Sequence, residues 1–377
     1  MIKILWACAA VAMMGMASLV QGQTKEQPMR VYIGTSGKGI YVAQMEAGQL
    51  STPKLAAETK GAGYVWIHPS GKTLLATGQV AVDGKMQGGV RAFAIETGTG
   101  NLVELNAQSS GGQGPCYVAT DRAGRFALAA NYGSGSVSVL PVRADGKLEP
   151  ASAVVQHEGK GPNPKRQEGP HAHNFDFDPD ERFALACDLG IDQVKIYRFA
   201  HQAGTLAEVA PAKVAPGAGP RHIAFSKEGE FLYVLNEMGC TVTVFAYDAQ
   251  TAATREVQTV PMLPPDYSQS DKDTGSEIFV HPTGKWVYAS NRGHDSIVRF
   301  VVDAGTGKLS DPDWTPSGGT VPRYFGIDPT GKWMVVANQG NGNLLTFAID
   351  PADGTLEPTG SVVEVGAPTC VKFMVEP

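Results

Sequence analysis

Apolar and polar residues alternate along most of this chain in short runs, and clusters of Gly, Pro, Asn and Asp cut the runs at regular intervals. SVSVLPV, QVKIYRF, TVTVFAY, SIVRFVV and NLLTFAI each carry the two-residue period of a strand with one face buried. Between such runs, six stretches repeat one motif in register: a strand, a Pro-x-Gly-Lys type turn, and a second strand ending near Asn-x-Gly. They read GYVWIHPSGKTLLATG, CYVATDRAGRFALAANYG, HNFDFDPDERFALACDLG, RHIAFSKEGEFLYVLNEMG, SEIFVHPTGKWVYASNRG and RYFGIDPTGKWMVVANQG, and begin at Gly63, Cys116, His173, Arg221, Ser276 and Arg323.

Self-similarity at a period of about 50 residues marks a propeller or solenoid, in which each unit buries its faces only against its neighbours. One blade per repeat gives six. Val31-Tyr32-Ile33-Gly34 and Ile40-Tyr41-Val42 near the start, with Thr369-Cys370-Val371-Lys372-Phe373 near the end, supply a seventh. The chain is therefore predicted to be all-β, a seven-bladed β-propeller of four-stranded antiparallel blades. One blade stitched from both termini closes the ring and leaves only short edges. Two long connections break the rhythm, Gln156 to Pro170 and Pro261 to Gly275, and long loops in a compact fold often carry function.

Composition changes this picture only at the margins. Forty-five glycines and 18% charged residues suit many tight turns, and a net charge of −6 without any Lys/Arg stripe argues against nucleic acid. Residues 1–22 stand apart: Lys3 precedes an apolar run from Ile4 to Val20, followed by small residues. That is the pattern of a secretory signal peptide, cleaved after Gly22 or after Ala17, rather than of a spanning helix. The expectation is an exported, periplasmic, monomeric protein, a single domain over residues 23–377 with no membrane span. Cys116, Cys187, Cys240 and Cys370 match no zinc spacing and are expected as buried strand thiols.

Aligning the chain with itself points to a site. In a hairpin, the start of strand one and the end of strand two lie at the same end, and in a propeller that end rims the central channel. The starting column reads Gly63, Cys116, His173, Arg221, Ser276, Arg323 and Thr369; the column just past strand two reads Gln79, Tyr132, Leu189, Glu237, Arg292 and Gln339. One rim thus collects His173, Arg221, Glu237, Arg292 and Arg323 from consecutive blades, with His171 and His222 beside them. Arginines present planar forks to carboxylates or phosphates and stabilise a developing oxyanion. A histidine, or a carboxylate among arginines, can activate water. The reading is chemistry on a small anionic substrate.

Other motifs are weaker. His171-Ala172-His173 with Asp176 resembles a metal-binding pattern, but no further ligand stands at suitable spacing, so no metal or other cofactor is expected. His68 and His281 occupy the turn position held elsewhere by Asp178 and Asp328, and are expected as turn residues. Neither a Gly-x-Ser-x-Gly elbow nor a His-Glu-x-x-His helix is present.

Four segments carry a family resemblance: Asn163-Pro164-Lys165-Arg166-Gln167 leading to Gly169-Pro170-His171-Ala172-His173, then Gly219-Pro220-Arg221-His222, then Asn236-Glu237, then Ser290-Asn291-Arg292-Gly293-His294-Asp295-Ser296. There the chain resembles the lactonase family of seven-bladed propellers, which includes 6-phosphogluconolactonase of the propeller type and the carboxy-muconate lactonising enzyme. The resemblance runs from about Met29 to the C-terminus. It implies metal-free hydrolysis of a sugar-acid lactone, with His173, Arg221, Glu237 and Arg292 as the catalytic set. His173 or Glu237 would activate water, and Lys165, Arg166 or Arg323 would grip the anionic end of the substrate. A muconate-type cycloisomerase and a non-catalytic binding propeller are the alternatives. Two features depart from the pattern: the leader, which points toward an unphosphorylated lactone, and Glu181 in place of a turn glycine.

Overall fold

The computed structural model describes residues 27–82 and 84–375, so the expected signal peptide and its cleavage points lie outside the described residues. Seven antiparallel sheets follow one another along the chain, and their innermost strands touch in a closed circle. Blade 1 is built from both ends of the chain: Pro368–Val375 lies innermost and pairs with Met29–Thr35, which pairs with Gly39–Glu46. Its outer edge is shared by Gln49–Leu50 and Lys54–Glu58, so this blade has five strands where four were expected. Blades 2 to 7 each have four strands, and their innermost ones are Val65–Ile67, Pro115–Thr120, Ala172–Phe177, Pro220–Phe225, Thr274–Val280 and Pro322–Ile327.

Second strands such as Phe126–Asn131 and Phe183–Asp188 are buried at every position, because a neighbouring blade covers each face. Phe183, Leu185, Val194 and Ile196 of blade 4 pack on Leu232, Val234 and Phe245 of blade 5. Each such side chain contributes about 1.5–3 kcal/mol by leaving water. Among the described residues no helix is long and apolar enough to cross a membrane.

The two ends of the channel are built differently. At the lower end lie the Pro-x-Gly-Lys turns, whose glycines supply the positive φ: +66° at Gly71, +80° at Gly284, +73° at Gly331. Glu181 takes the same conformation at +55°, and its Oε1 accepts the Arg122 N–H at 2.6 Å, so the departure noted in the sequence also ties this turn to blade 3. Asp121 and Asp328 accept the backbone N–H groups that close their own turns. His68 Nε2 donates to the Gly124 carbonyl at 2.7 Å and His281 Nε2 to the Gly331 carbonyl at 2.8 Å, each tying its turn to the next blade.

At the upper end the innermost strand holds one extra residue in six of the seven blades. Pairing skips Thr369, Cys116, His173, Arg221 and Arg323, and sets Ser276 and Glu277 together against Ser290. Such a bulge breaks the strict alternation of side chains. Two successive residues, not one, then turn toward the channel. In blade 2 the second strand instead runs on to Val82, which places Gln79 inside a hairpin rather than past its end.

Candidate active site

The bulged residues enclose a cavity of about 390 Å³ at the upper mouth, with Tyr132, Arg166, His173, Glu237, Arg292 and Arg323 in its walls. A second cavity of about 310 Å³ shares Cys116, His173 and Arg323 with it and reaches Arg221, His222 and Tyr64.

Glu237 organises the first. It follows Phe231–Asn236, its N–H is held by the Gly219 carbonyl at 2.7 Å, and it is 4% exposed. Arg166 Nη2 donates to Oε1 at 2.6 Å, while Arg221 Nε and Arg292 Nη2 stand 3.0 and 3.1 Å from Oε2. Burial alone would raise the Glu237 pKa, but Arg292, Arg221 and Arg166 overrule it and hold the carboxyl at about 2. Both oxygens are therefore engaged, and the group is ionised at neutral pH. Arg323 completes the ring of four guanidiniums and forms no ion pair among the described residues. Four cations thus meet one carboxylate in a largely buried space.

Each arginine is placed by local structure. Arg221 and Arg323 are bulge residues, and Arg292 ends the strand Trp286–Arg292, where Nη2 also donates to the Gly275 carbonyl at 2.8 Å. Arg166 comes from the long connection after Gln156. Buried Gln167 clamps that loop to blade 4, donating to the Leu189 carbonyl at 2.9 Å and to Asp192 Oδ1 at 2.7 Å. Asp188 bonds His157 Nδ1 at 2.6 Å and accepts the His171 N–H at 2.7 Å, so the loop is pinned at both ends.

His173 is buried, and its Nδ1 has no partner among the described residues. Burial, and then the neighbouring Arg221, His222 and Arg323, hold its pKa well below the usual histidine value, so the ring is neutral. His171 stacks on Tyr132 with ring centroids 4.6 Å apart, and its Nδ1 donates to the Tyr132 carbonyl at 2.9 Å; it props the cavity wall. His222 lies one layer deeper, its ring 5.2 Å from that of His173.

The structure thus brings together seven of the residues singled out in the sequence: Arg166, His173, Arg221, His222, Glu237, Arg292 and Arg323. Lys165 does not join them. It is exposed and lines an adjacent cleft of about 640 Å³ with Asp271 and Asp273. Of the cysteines, Cys187 and Cys370 are buried strand thiols and Cys240 is a buried turn residue, whereas Cys116 faces both upper cavities. Burial pushes the Cys116 thiol up to about 12, which removes it as a nucleophile at neutral pH.

Tyr132 stood in the aligned column, but its aromatic character masked its place in the wall. Glu277 was missed for a physical reason: strict alternation after Ser276 sends it away from the channel, and only the bulge turns it inward. Among the described residues no three His, Cys, Asp or Glu side chains converge as a metal cage would.

The model of the family described as Lactonase, 7-bladed beta-propeller, matches residues 30–373. The chain belongs to that family. It is 41% identical over 285 residues to the 6-phosphogluconolactonase of Bacillus subtilis, an alignment covering 74% of this chain and 79% of that one. It is 29% identical over 282 residues to a 6-phosphogluconolactonase of Formosa agariphila, covering 72% and 77% of the two chains. The solved structure of a periplasmic gluconolactonase from Pseudomonas aeruginosa superposes with a TM-score of 0.85 at 31% identity, over 93% of this chain and all of that one.

Proposed function

We propose that this lactonase hydrolyses the ring ester of a sugar-acid lactone that carries an anion of its own, at the upper mouth of the channel. The observation that carries this reading is the surplus of positive charge: three guanidiniums on Glu237 and a fourth, Arg323, in the same cavity with no ion pair among the described residues. Burying unpaired cations costs free energy that an anionic ligand offsets. Arg323 is suited to hold the substrate's phosphate or carboxylate, and Arg221 and Arg292 to receive the oxyanion formed at the lactone carbonyl. Glu237 holds those arginines in place. A neutral imidazole beside these guanidiniums activates water, and the same guanidiniums disfavour a divalent cation there, which supports a reaction without metal.

The relatives named above bracket the substrate, one group named for the 6-phospho lactone and one for gluconolactone. The charge surplus favours the phosphorylated or another acidic aldonolactone, while the leader in residues 1–22 supports export. The deciding experiment compares 6-phosphoglucono-δ-lactone with glucono-δ-lactone, with spontaneous opening subtracted and chelator present. The expected result is turnover above background, undiminished by chelator, with kcat/KM at least about ten-fold higher for the phosphorylated form, as one charge-assisted contact implies. Background rates on both would overturn hydrolysis. Ring closure of a muconate would then favour the cycloisomerase, and binding without turnover would favour a scaffold.

A further inference from the structure

Beneath the arginine rim the channel passes through a second layer that includes Tyr64, Tyr117, His222, Glu277 and Tyr324. His222 Nδ1 lies 2.7 Å from Glu277 Oε1, and each side chain is only 4% exposed. With Glu277 as the acceptor, this bond places the proton on Nδ1 and leaves Nε2 with a free lone pair. Nε2 is buried and has no hydrogen-bond partner among the described residues, and neither has Glu277 Oε2. Unpaired buried acceptors of this kind call for water or a ligand. His222 also lines both the second upper cavity, which shares His173 and Arg323 with the first, and a lower chamber of about 310 Å³, in whose wall Asp176, Glu277 and Lys372 stand. It therefore sits where water from below would meet substrate from above.

The other candidate bases are less suited. Glu237 is held at about 2, with both oxygens occupied by arginines. His173 has no carboxylate partner, and its charged neighbours, Arg221, Arg323 and Arg292, all oppose protonation. Of the two histidines that line the second upper cavity and face each other, His173 and His222, the second has a carboxylate placed to stabilise its imidazolium, the arrangement that serves general bases elsewhere.

We propose that His222, oriented by Glu277, is the base that takes the proton from the attacking water; this rests on the lactonase reading above. Water adds to the lactone carbonyl carbon, its proton passes to Nε2, and the tetrahedral oxyanion forms toward Arg221 and Arg292. Collapse breaks the ring C–O bond, and the imidazolium returns the proton to the departing ring oxygen. The product is the open-chain hydroxy acid.

The groups facing His222 are Glu277 of blade 6, Arg221 of its own strand, Arg323 of blade 7, His173 of blade 4, Tyr64 of blade 2 and Tyr117 of blade 3. Burial dominates and lowers its pKa to about 4, while Glu277 pulls it upward. The ring is thus neutral, and ready to accept, from mildly acidic pH upward.

The test measures kcat and KM against pH for the wild type, His222→Gln, Glu277→Gln, Glu277→Asp and His173→Gln, each confirmed as folded by its melting curve. His222→Gln is expected to lower kcat by about 10²–10⁴ with KM within about three-fold. Glu277→Gln should lower kcat and move the acid limb of the profile to lower pH, because the imidazolium loses its counter-charge; Glu277→Asp should recover part of both. Nitrogen-15 NMR of the wild type should show the His222 proton on Nδ1. A folded His222→Gln that keeps kcat within about three-fold, a larger kcat loss in His173→Gln, an unmoved acid limb in Glu277→Gln, or a proton on Nε2 would each overturn the proposal while leaving lactone hydrolysis intact. A wild type without turnover overturns the lactonase reading, and the catalytic role of His222 with it.

Discussion

The two ends of the channel carry equivalent positions of the same repeats and have opposite histories. At the lower end, five residues into each repeat, stand His68, Asp121, Asp178, Ser226, His281 and Asp328. They differ in type and do one job, satisfying the backbone of a tight turn or tying it to the next blade. At the upper end, the starting column holds Gly63, Cys116, His173, Arg221, Ser276 and Arg323, and even its two arginines differ, Arg221 pairing with Glu237 and Arg323 with no carboxylate among the described residues. Where different residues keep one role, the fold is the constraint. Where one position takes a different role in each blade, the constraint comes from something in the channel.

The largest effect that would break this contrast is at Arg292. Its guanidinium bonds both Glu237 and the Gly275 carbonyl, yet Glu237 keeps Arg166 and Arg221 without it. Arg292→Ala is expected to lower kcat/KM on the preferred lactone by about a thousand-fold, the scale of losing one oxyanion donor, while the melting temperature changes by a few degrees at most. A variant as active as the wild type would make the upper rim structural, like the lower end.

Most of this architecture was legible in the sequence, because the turn column and the alternating strands repeat often enough to be read without coordinates. The site was legible to the depth that alignment reaches. His173, Arg221, Glu237, Arg292 and Arg323 fell in aligned columns, and the structure gathers them. Arg166 was legible only through the family motif, since the fold of its loop depends on Gln167 reaching Asp192, twenty-five positions along the chain. Glu277 and the Asp188–His157–Tyr197 chain were not legible at all. The first is turned by a bulge, and the second pairs residues from a loop and two strands whose proximity no local pattern encodes.

A second, smaller effect separates the ends by acid. The Glu237 carboxyl is lowered from its ordinary value to about 2, so the unfolded chain binds this proton more readily than the folded one. The stability it confers is complete above its unfolded value, near 4.5, and is lost as the pH falls through about 2. Its size is on the order of 3 kcal/mol, at 1.36 kcal/mol for each unit. His222 acts in the same direction at higher pH: its folded value of about 4 lies below the ordinary histidine value of 6.5, so stability declines as the pH drops from 6.5 toward 4. Denaturant titrations across that range should therefore show stability falling in two stages, and His222→Gln should remove part of the upper one. A profile flat down to pH 3 would mean that the arginines do not grip Glu237 as the geometry shows.

The smallest effect tests the lower end on its own terms. Asp328 is fully buried, and its Oδ1 accepts the N–H groups of Lys332 and Trp333 at 2.9 and 2.8 Å, while Oδ2 accepts from Thr330. Asp328→Ala leaves those donors without a side-chain acceptor and is expected to cost about 2 kcal/mol of stability, with kcat/KM within about two-fold of the wild type. Ser226 does the same work in blade 5 with one hydroxyl, accepting the Phe231 N–H at 3.0 Å. Asp328→Ser should for that reason recover part of the loss. If Asp328→Ala instead lowered activity as sharply as Arg292→Ala while remaining folded, the lower end would be coupled to the chemistry across the length of the channel. The column of turn residues could then no longer be read as scaffold alone.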